Sequence, residues 1–201
     1  RDCLLSRGLG DVYKRQERTR NFFAVLAIIL TTFMFTSVFS IGVSLIQNLG
    51  ILQIRNLGSQ STIWLEQPSK QQMDQIRKMQ DLRAMGVQVS AGSRNETSRE
   101  KTVALWYYDT AEYQKNFIPA ISRIHGTYPE KQNQIMMSET ALAVAGVKKP
   151  EIGEKVTLYD GDREETFTLS GWYRDYIYGK AVGLVSKEYV QKMGLDKREN
   201  K

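Results

Sequence analysis

Residues Phe22–Ile46 read FFAVLAIILTTFMFTSVFSIGVSLI, 25 consecutive positions without a charge. A bilayer core is crossed by about 20 apolar residues in a helix. Helices buried in soluble cores seldom run that far uncharged, and here Phe, Leu, Ile and Val fall on every face. The stretch therefore predicts a transmembrane helix with Phe22 and Ile46 at its ends and Leu30 and Gly42 within it. Thr31, Thr32, Thr36, Ser37, Ser40 and Ser44 do not oppose this, because their hydroxyls can bond back to the preceding turn. Gly42, Ser37, Ser40–Ile41 and Ser44 lie about one turn apart, which predicts a face for close packing against another helix. A cleaved leader has an apolar core of roughly 7–15 residues and a small-residue cleavage site. This core is far longer and no lipobox cysteine follows, so it reads as an uncleaved anchor.

Arg18 and Arg20 abut the amino end of the span, whereas the carboxyl flank carries no charge until Arg55. The positive-inside rule then puts the amino terminus in the cytoplasm and everything after residue 46 outside. The apolar pattern continues through Leu45, Leu49, Leu52 and Ile54, and Gly58 is the expected stop. One helix over Phe22–Leu57 would be about 54 Å long, against about 30 Å of bilayer core. Roughly 20 Å would then project as a stalk bearing Leu49, Leu52, Arg55 and Gly58. Gly50 marks a candidate bend.

The chain opens with Arg1 rather than Met, and Asp11-Val12-Tyr13-Lys14-Arg15-Gln16 looks like the translation of an adapter end from a sequencing library. Residues 1–16 are set aside as a sequencing-adapter scar. The expected organisation is 1–16 scar, 17–58 cytoplasmic flank, span and stalk, and 59–201 an outer domain cut short. The charged tail Asp196-Lys197-Arg198-Glu199-Asn200-Lys201 suits a truncated reading frame.

Outside the span and the scar about 150 residues remain, enough for one domain with its own core. The formal charge is +6. Residues 1–16 hold Arg1, Arg7, Lys14 and Arg15 against Asp2 and Asp11, so +4 remains without them. Basic and acidic residues are interspersed after residue 60, so no basic stripe points to nucleic acid. The one Cys, Cys3, lies in the scar, which excludes disulfides and thiolate chemistry from the rest.

After Gly58 the pattern becomes short strands and helices. Ser61–Leu65 reads as a strand. A helix starts near Pro68, with Ser69 and Asp74 in its first turns, an apolar stripe of Met73, Ile76, Met79 or Gln80 and Leu82, and a stop at Gly86. Gly86–Ala91 alternates as a strand, Gly92–Lys101 is polar and turn-rich, and Thr102–Tyr108 is a strong aromatic strand. Asp109 caps a short helix over Thr110–Phe117. Pro119 and Gly126-Thr127-Tyr128-Pro129 then make a loop. Gln134–Met137 is a strand, and Ser138 caps a helix over Glu139–Ala145 that Gly146 closes. Val156–Tyr159 and Thr166–Leu169 flank Asp160-Gly161-Asp162, a hairpin signal, and Gly171-Trp172-Tyr173 extends the second strand. Ala181–Val185 is a further strand, and Ser186 caps a last helix through Met193. The fold class is α+β: one long N-terminal transmembrane helix, then a mixed α/β extracytoplasmic domain.

Little here carries chemistry. His125 has no second His or Cys to make a metal site and reads as a surface or hydrogen-bonded loop residue. Asp160, Asp162, Glu164 and Glu165 cluster in a hairpin turn without EF-hand spacing and read as a solvated loop. No Gly-rich phosphate loop and no Gly-x-Ser-x-Gly motif is present. Asn95-Glu96-Thr97 fits a glycosylation pattern, a short motif that carries little weight by itself. Half of Trp106-Tyr107-Tyr108 and Trp172-Tyr173 with Tyr176 and Tyr178 should face the core on alternating strands, and the other half could face ordinary surface, a partner or a peptide ligand. No catalytic, metal-binding or cofactor-binding residue is assigned.

The span Asn21–Ile46 followed by Gln53–Gly58 resembles the first transmembrane helix and exit of FtsX/MacB-type ABC transporter permeases. Gly126–Pro129, Asn133–Glu139, Ala141-Leu142-Ala143, Gly146-Val147, Pro150–Leu158 and Phe167–Tyr173 are similar, in that order, to their extracytoplasmic core domain. Residues 59–110 match only in layout. The resemblance implies a non-catalytic permease subunit with three further membrane helices, whose ATPase activity resides in a separate cytoplasmic ABC ATPase subunit. It also implies a second permease copy or homologue, and a mechanical role in which ATP-driven helix motion moves the outer domain. The alternative is a single-pass membrane-anchored sensor or receptor with an extracytoplasmic ligand-binding domain. A third reading, an anchored enzyme or cell-wall factor, needs catalytic residues not found here.

Overall fold

In a computed structural model the described residues are 3–79, 82, 84–98, 100–177 and 179–195. Gln80, Tyr178 and the tail 196–201 lie outside them. The chain divides between Gly50 and Ile51 into two units.

Helix α1 runs over Cys3–Leu57. Helical hydrogen bonding continues through Gly50, because a lone Gly weakens a helix by only about 1 kcal/mol. Within it, Arg18–Leu57 is long and apolar enough to cross a membrane. Thr31 bonds the Ala27 carbonyl at 2.9 Å, Thr32 that of Ile28 at 2.7 Å, and Thr36 that of Thr32 at 2.5 Å. These are the back-bonds expected of hydroxyls in an apolar helix. The helix stops where expected. Gly58 takes φ +73°, which a side chain opposes, and its N–H donates to the Ile54 carbonyl at 2.9 Å.

The second unit is built on a mixed sheet. Its described strands are β1 Gln88–Asn95, β2 Thr102–Tyr108, β3 Ser122–Gly126, β4 Gln134–Ser138, β5 Lys155–Asp160, β6 Arg163–Arg174 and β7 Val182–Val185. Their order is β3-β6-β4-β7-β2-β1-β5, and β5 also pairs with β6. Six strands thus close a ring, with β3 outside it against β6. The closure on the β1 side is one bridge, Asn95 to Tyr159. β2–β7 and β4–β6 are parallel and the other pairs antiparallel.

Strand alternation divides the core in two. Leu105, Ile135, Met137, Leu158, Phe167, Leu169 and Val185 form one cluster, covered by α3 (Glu139–Val144) and α4 (Lys187–Lys192). Met136, Tyr173, Val182 and Leu184 face the other way against Phe117 and Ile121. β4 and β7 are therefore buried on both faces, which explains their unbroken apolar runs. Ser138 and Ser186 cap α3 and α4 as expected, accepting from the amides of Ala141 at 3.1 Å and Tyr189 at 3.2 Å. Gly161 and Asp162 turn the β5–β6 hairpin, in register from Asp160 and Arg163.

Four expectations need correction. Ser61–Leu65 is not a strand: no neighbour pairs with it, and Ile63, Trp64 and Leu65 are exposed. The helix after Pro68, α2, is only Lys70–Arg77, closed into a capping box by Ser69 and Gln72. Leu82 lies beyond it, and Gly86 packs on Glu112 instead of ending it. β1 extends through Gly92 to Asn95, because positive φ at Gly92 lets a bulge between Ser90 and Ser93 keep the pairing. Finally β3 occupies part of the expected Pro119–Pro129 loop. It is short, polar and paired on one side only, so it lacks the apolar alternation that marks a strand.

Candidate functional site

Among the described residues no group of His, Cys, Asp and Glu could hold a metal ion. His125 stacks on Trp172 with centroids 4.9 Å apart. Two of the hairpin acids have a structural task. Arg94, 4% exposed, donates through Nε to Glu165 at 2.8 Å and through Nη2 to the Tyr189 hydroxyl at 2.8 Å. Asp160 is 3.6 Å away, and the Tyr189 hydroxyl in turn donates to Glu165 at 2.9 Å. Burial is the main reason the Tyr189 hydroxyl is held far above its ordinary range, with Glu165 adding to it. This network ties β1, the hairpin and α4 together. Arg94 was missed in the sequence because it sits in a stretch that looks like a polar turn.

Two other features remain as candidates. The first is the apolar helix. Phe22 is 64% exposed, Leu30 54% and Ile46 72%, and a side chain at Gly42 would meet only open space. Thr32, Phe35, Thr36, Phe39, Ser40, Val43 and Ser44 line a shallow open groove along one side. Ser40 and Ser44 of the expected packing face lie on it.

The second is the place where the last turns of α1 enter the second unit. Leu49 and Leu52, from the expected stalk, are exposed. Arg55 is not a free stalk charge: its guanidinium lies 4.5 Å over the Tyr176 ring, and the Tyr176 hydroxyl pairs with Ser122 Oγ of β3 at 2.8 Å. Just past Gly58, Ser59 is buried and reaches Glu112 at 3.4 Å. Glu112, 3% exposed, also accepts from Gln88 Nε2 and from Asn116 Nδ2, both at 2.6 Å. The Gln60 N–H donates to the Asn116 carbonyl at 2.9 Å.

Glu112 and Asn116 belong to a π-helical turn, Glu112–Phe117. Asp109 starts it as expected, accepting from the Glu112 amide at 2.7 Å. Phe117 then enters the second core cluster, edge-on to Tyr108 at 5.0 Å and to Tyr173 at 5.2 Å. Of the aromatic residues noted in the sequence, Tyr173 is fully buried and Tyr108 mostly so, and burial raises both hydroxyls above their usual range. Glu112 was missed; the Asp109-x-x-Glu112 spacing of a helix start was its signal.

No family model and no curated protein matches the chain. Among solved structures it is similar to the extracellular domain of the noncanonic ABC-type transporter YknZ from Gram-positive bacteria, with a TM-score of 0.45, 8% identity and 67% of this chain covered. The chain spans 66% of that structure's length. A likeness at this level assigns neither fold nor function.

Proposed function

We propose that the chain is the amino-terminal part of a permease subunit of a bacterial ABC transporter. In this reading Phe22–Ile46 crosses the cell membrane, the amino terminus is cytoplasmic, and the unit after it is extracytoplasmic. A separate ABC ATPase hydrolyses ATP on the cytoplasmic side, and a second permease copy or homologue packs alongside. The subunit itself is not an enzyme; it converts helix motion into movement outside the membrane, for export, extraction or mechanical signalling.

One observation carries the reading. An apolar helix with its hydrophobic side chains bare runs without interruption into the first residues of a folded α+β unit. Burying those side chains in lipid is worth roughly 25 cal/mol per Å² of apolar surface. The ordered motifs from Gly126 to Tyr173 add the resemblance to the permease core domain. Within those motifs lie the Ser138 cap of α3, the Asp160–Arg163 hairpin and the extension of β6 past Gly171.

The test is the coding sequence beyond Lys201 together with its neighbours. Three further hydrophobic spans and an adjacent gene for a P-loop ATPase support the permease. One further span followed by a cytoplasmic signalling module would replace it with the receptor reading.

A further inference from the structure

From the geometry at the end of α1 we infer that the π-turn Glu112–Phe117 is the coupling joint through which displacement of α1 enters the sheet. The inference rests on the permease reading only for what drives the displacement.

Three observations support it. A π-turn is rare and often marks a functional position, because its wide ring of hydrogen bonds costs stability that an ordinary α-turn would keep. This one holds a buried carboxylate whose acceptors are filled from three separate segments. They are Ser59 just after α1, Gln88 at the start of β1, and Asn116 four residues on in the turn itself. Removing the carboxylate strips all three donors of this partner at once, and removing Ser59 leaves Oε1 with Gln88 as its one remaining donor. The segments are therefore bound to a common position rather than merely packed.

Adjacent residues of the turn reach different parts of the unit. At its start Gly86 is packed against Glu112 so closely that a side chain there would strike its backbone, and near its end the Asn116 carbonyl accepts from the Gln60 N–H at 2.9 Å. The next residue, Phe117, wedges between Tyr108 of β2 and Tyr173 of β6. A pull or twist on residues 58–60 must then shift the turn, and the turn cannot shift without repacking rings in the sheet. Arg55 over Tyr176 supplies a second attachment to β3. It works through an exposed ring and is the weaker of the two.

The experiment is residue-resolved amide hydrogen exchange on the full chain in detergent micelles, comparing wild type, Glu112→Ala and Ser59→Ala. Glu112→Ala is expected to speed exchange at 58–61 and 112–117 by about tenfold or more. Amides at the centre of the sheet, such as those of Met136 and Leu184, should change less than about twofold. Ser59→Ala touches only the α1 side. It is expected to raise exchange at 112–117 as well, since coupling is reciprocal. Should Glu112→Ala unfold the chain, Ser59→Ala alone decides. Unchanged exchange at 112–117 in Ser59→Ala, or an equal loss of protection across the whole sheet in either variant, overturns the inference. Because no ATPase enters this measurement, its failure leaves the permease reading standing.

Discussion

Replacing Arg94 with Met removes a guanidinium but keeps much of the side-chain volume. Four interactions go: the 2.8 Å bond to Glu165, the 2.8 Å bond to the Tyr189 hydroxyl, the 3.1 Å bond to the Ser93 carbonyl, and the looser 3.6 Å pairing with Asp160. Taking one partner from a fully buried ion pair costs about 3–5 kcal/mol. Here the partners are less enclosed. The Glu165 side chain is 27% exposed and that of Asp160 53%, so both recover water when the cation leaves. The Asp160 contribution is close to zero on this ground. Tyr189 keeps its bond to Glu165. The expected loss is therefore about 2–3 kcal/mol, or roughly 5–10 °C in Tm for a domain of this size. Urea unfolding of the full chain in micelles, followed by tryptophan fluorescence, measures it. A double-mutant cycle with Glu165→Gln should return about 1–2 kcal/mol of coupling. A loss below about 0.5 kcal/mol, or a stabilised variant, would refute the reasoning. Arg94 would then be a charge the fold tolerates rather than one it uses.

Asp175 is pushed up to about 6, chiefly by burial, against the opposing pull of the Ser138 hydroxyl. A raised carboxyl binds its proton more tightly in the folded state. Its contribution to stability is thus full below about pH 4 and lost as pH rises to about 6. Asp175→Asn should flatten that slope and gain about 1–2 kcal/mol at pH 7, read by urea titration across pH 4–8. Gly171→Ala should detach β3, because a methyl group there falls on the His125 carbonyl; faster amide exchange at 122–126 with an intact ring is the expected signature. Gly50→Pro removes one α1 hydrogen bond at a cost of about 3 kcal/mol. ATP-dependent function should fall while ATP binding by the partner persists, and normal function in that variant would contradict the transmission model.

Much of the fold was legible from residue patterns. Thr102–Tyr108 was found with its exact limits because aromatic and β-branched residues run together there. Ser138, Ser186 and Gly58 were found because caps and stops act locally. The errors have a common origin. Ile63-Trp64-Leu65 has the composition of a strand, but a strand exists only with a partner, and partnering is a long-range property. Ser122–Gly126 is the reverse case, an unpromising segment paired because β6 is long enough to reach it. Closure of the ring through β5 depends on β6 serving β5 with its first half and β3 and β4 with its second, which no local pattern encodes. Of the candidate site, the apolar span was legible and the joint was not. A buried Glu and a buried Arg look like surface residues until their partners, 53 and 71 positions away in sequence, are in place.

The central claim is that Phe22–Ile46 lies in a bilayer with the following unit outside. It is tested most directly by carbonate extraction and impermeant maleimide labelling in spheroplasts. The material is a Cys3→Ser chain bearing a single cysteine at the exposed Ser98. The account predicts that the chain stays in the membrane pellet and that Ser98→Cys is labelled before lysis. Leu30→Arg, which costs about 2.5–3.5 kcal/mol at a helix centre, should shift it from the pellet. A chain released by carbonate, or labelled only after lysis, would contradict the account.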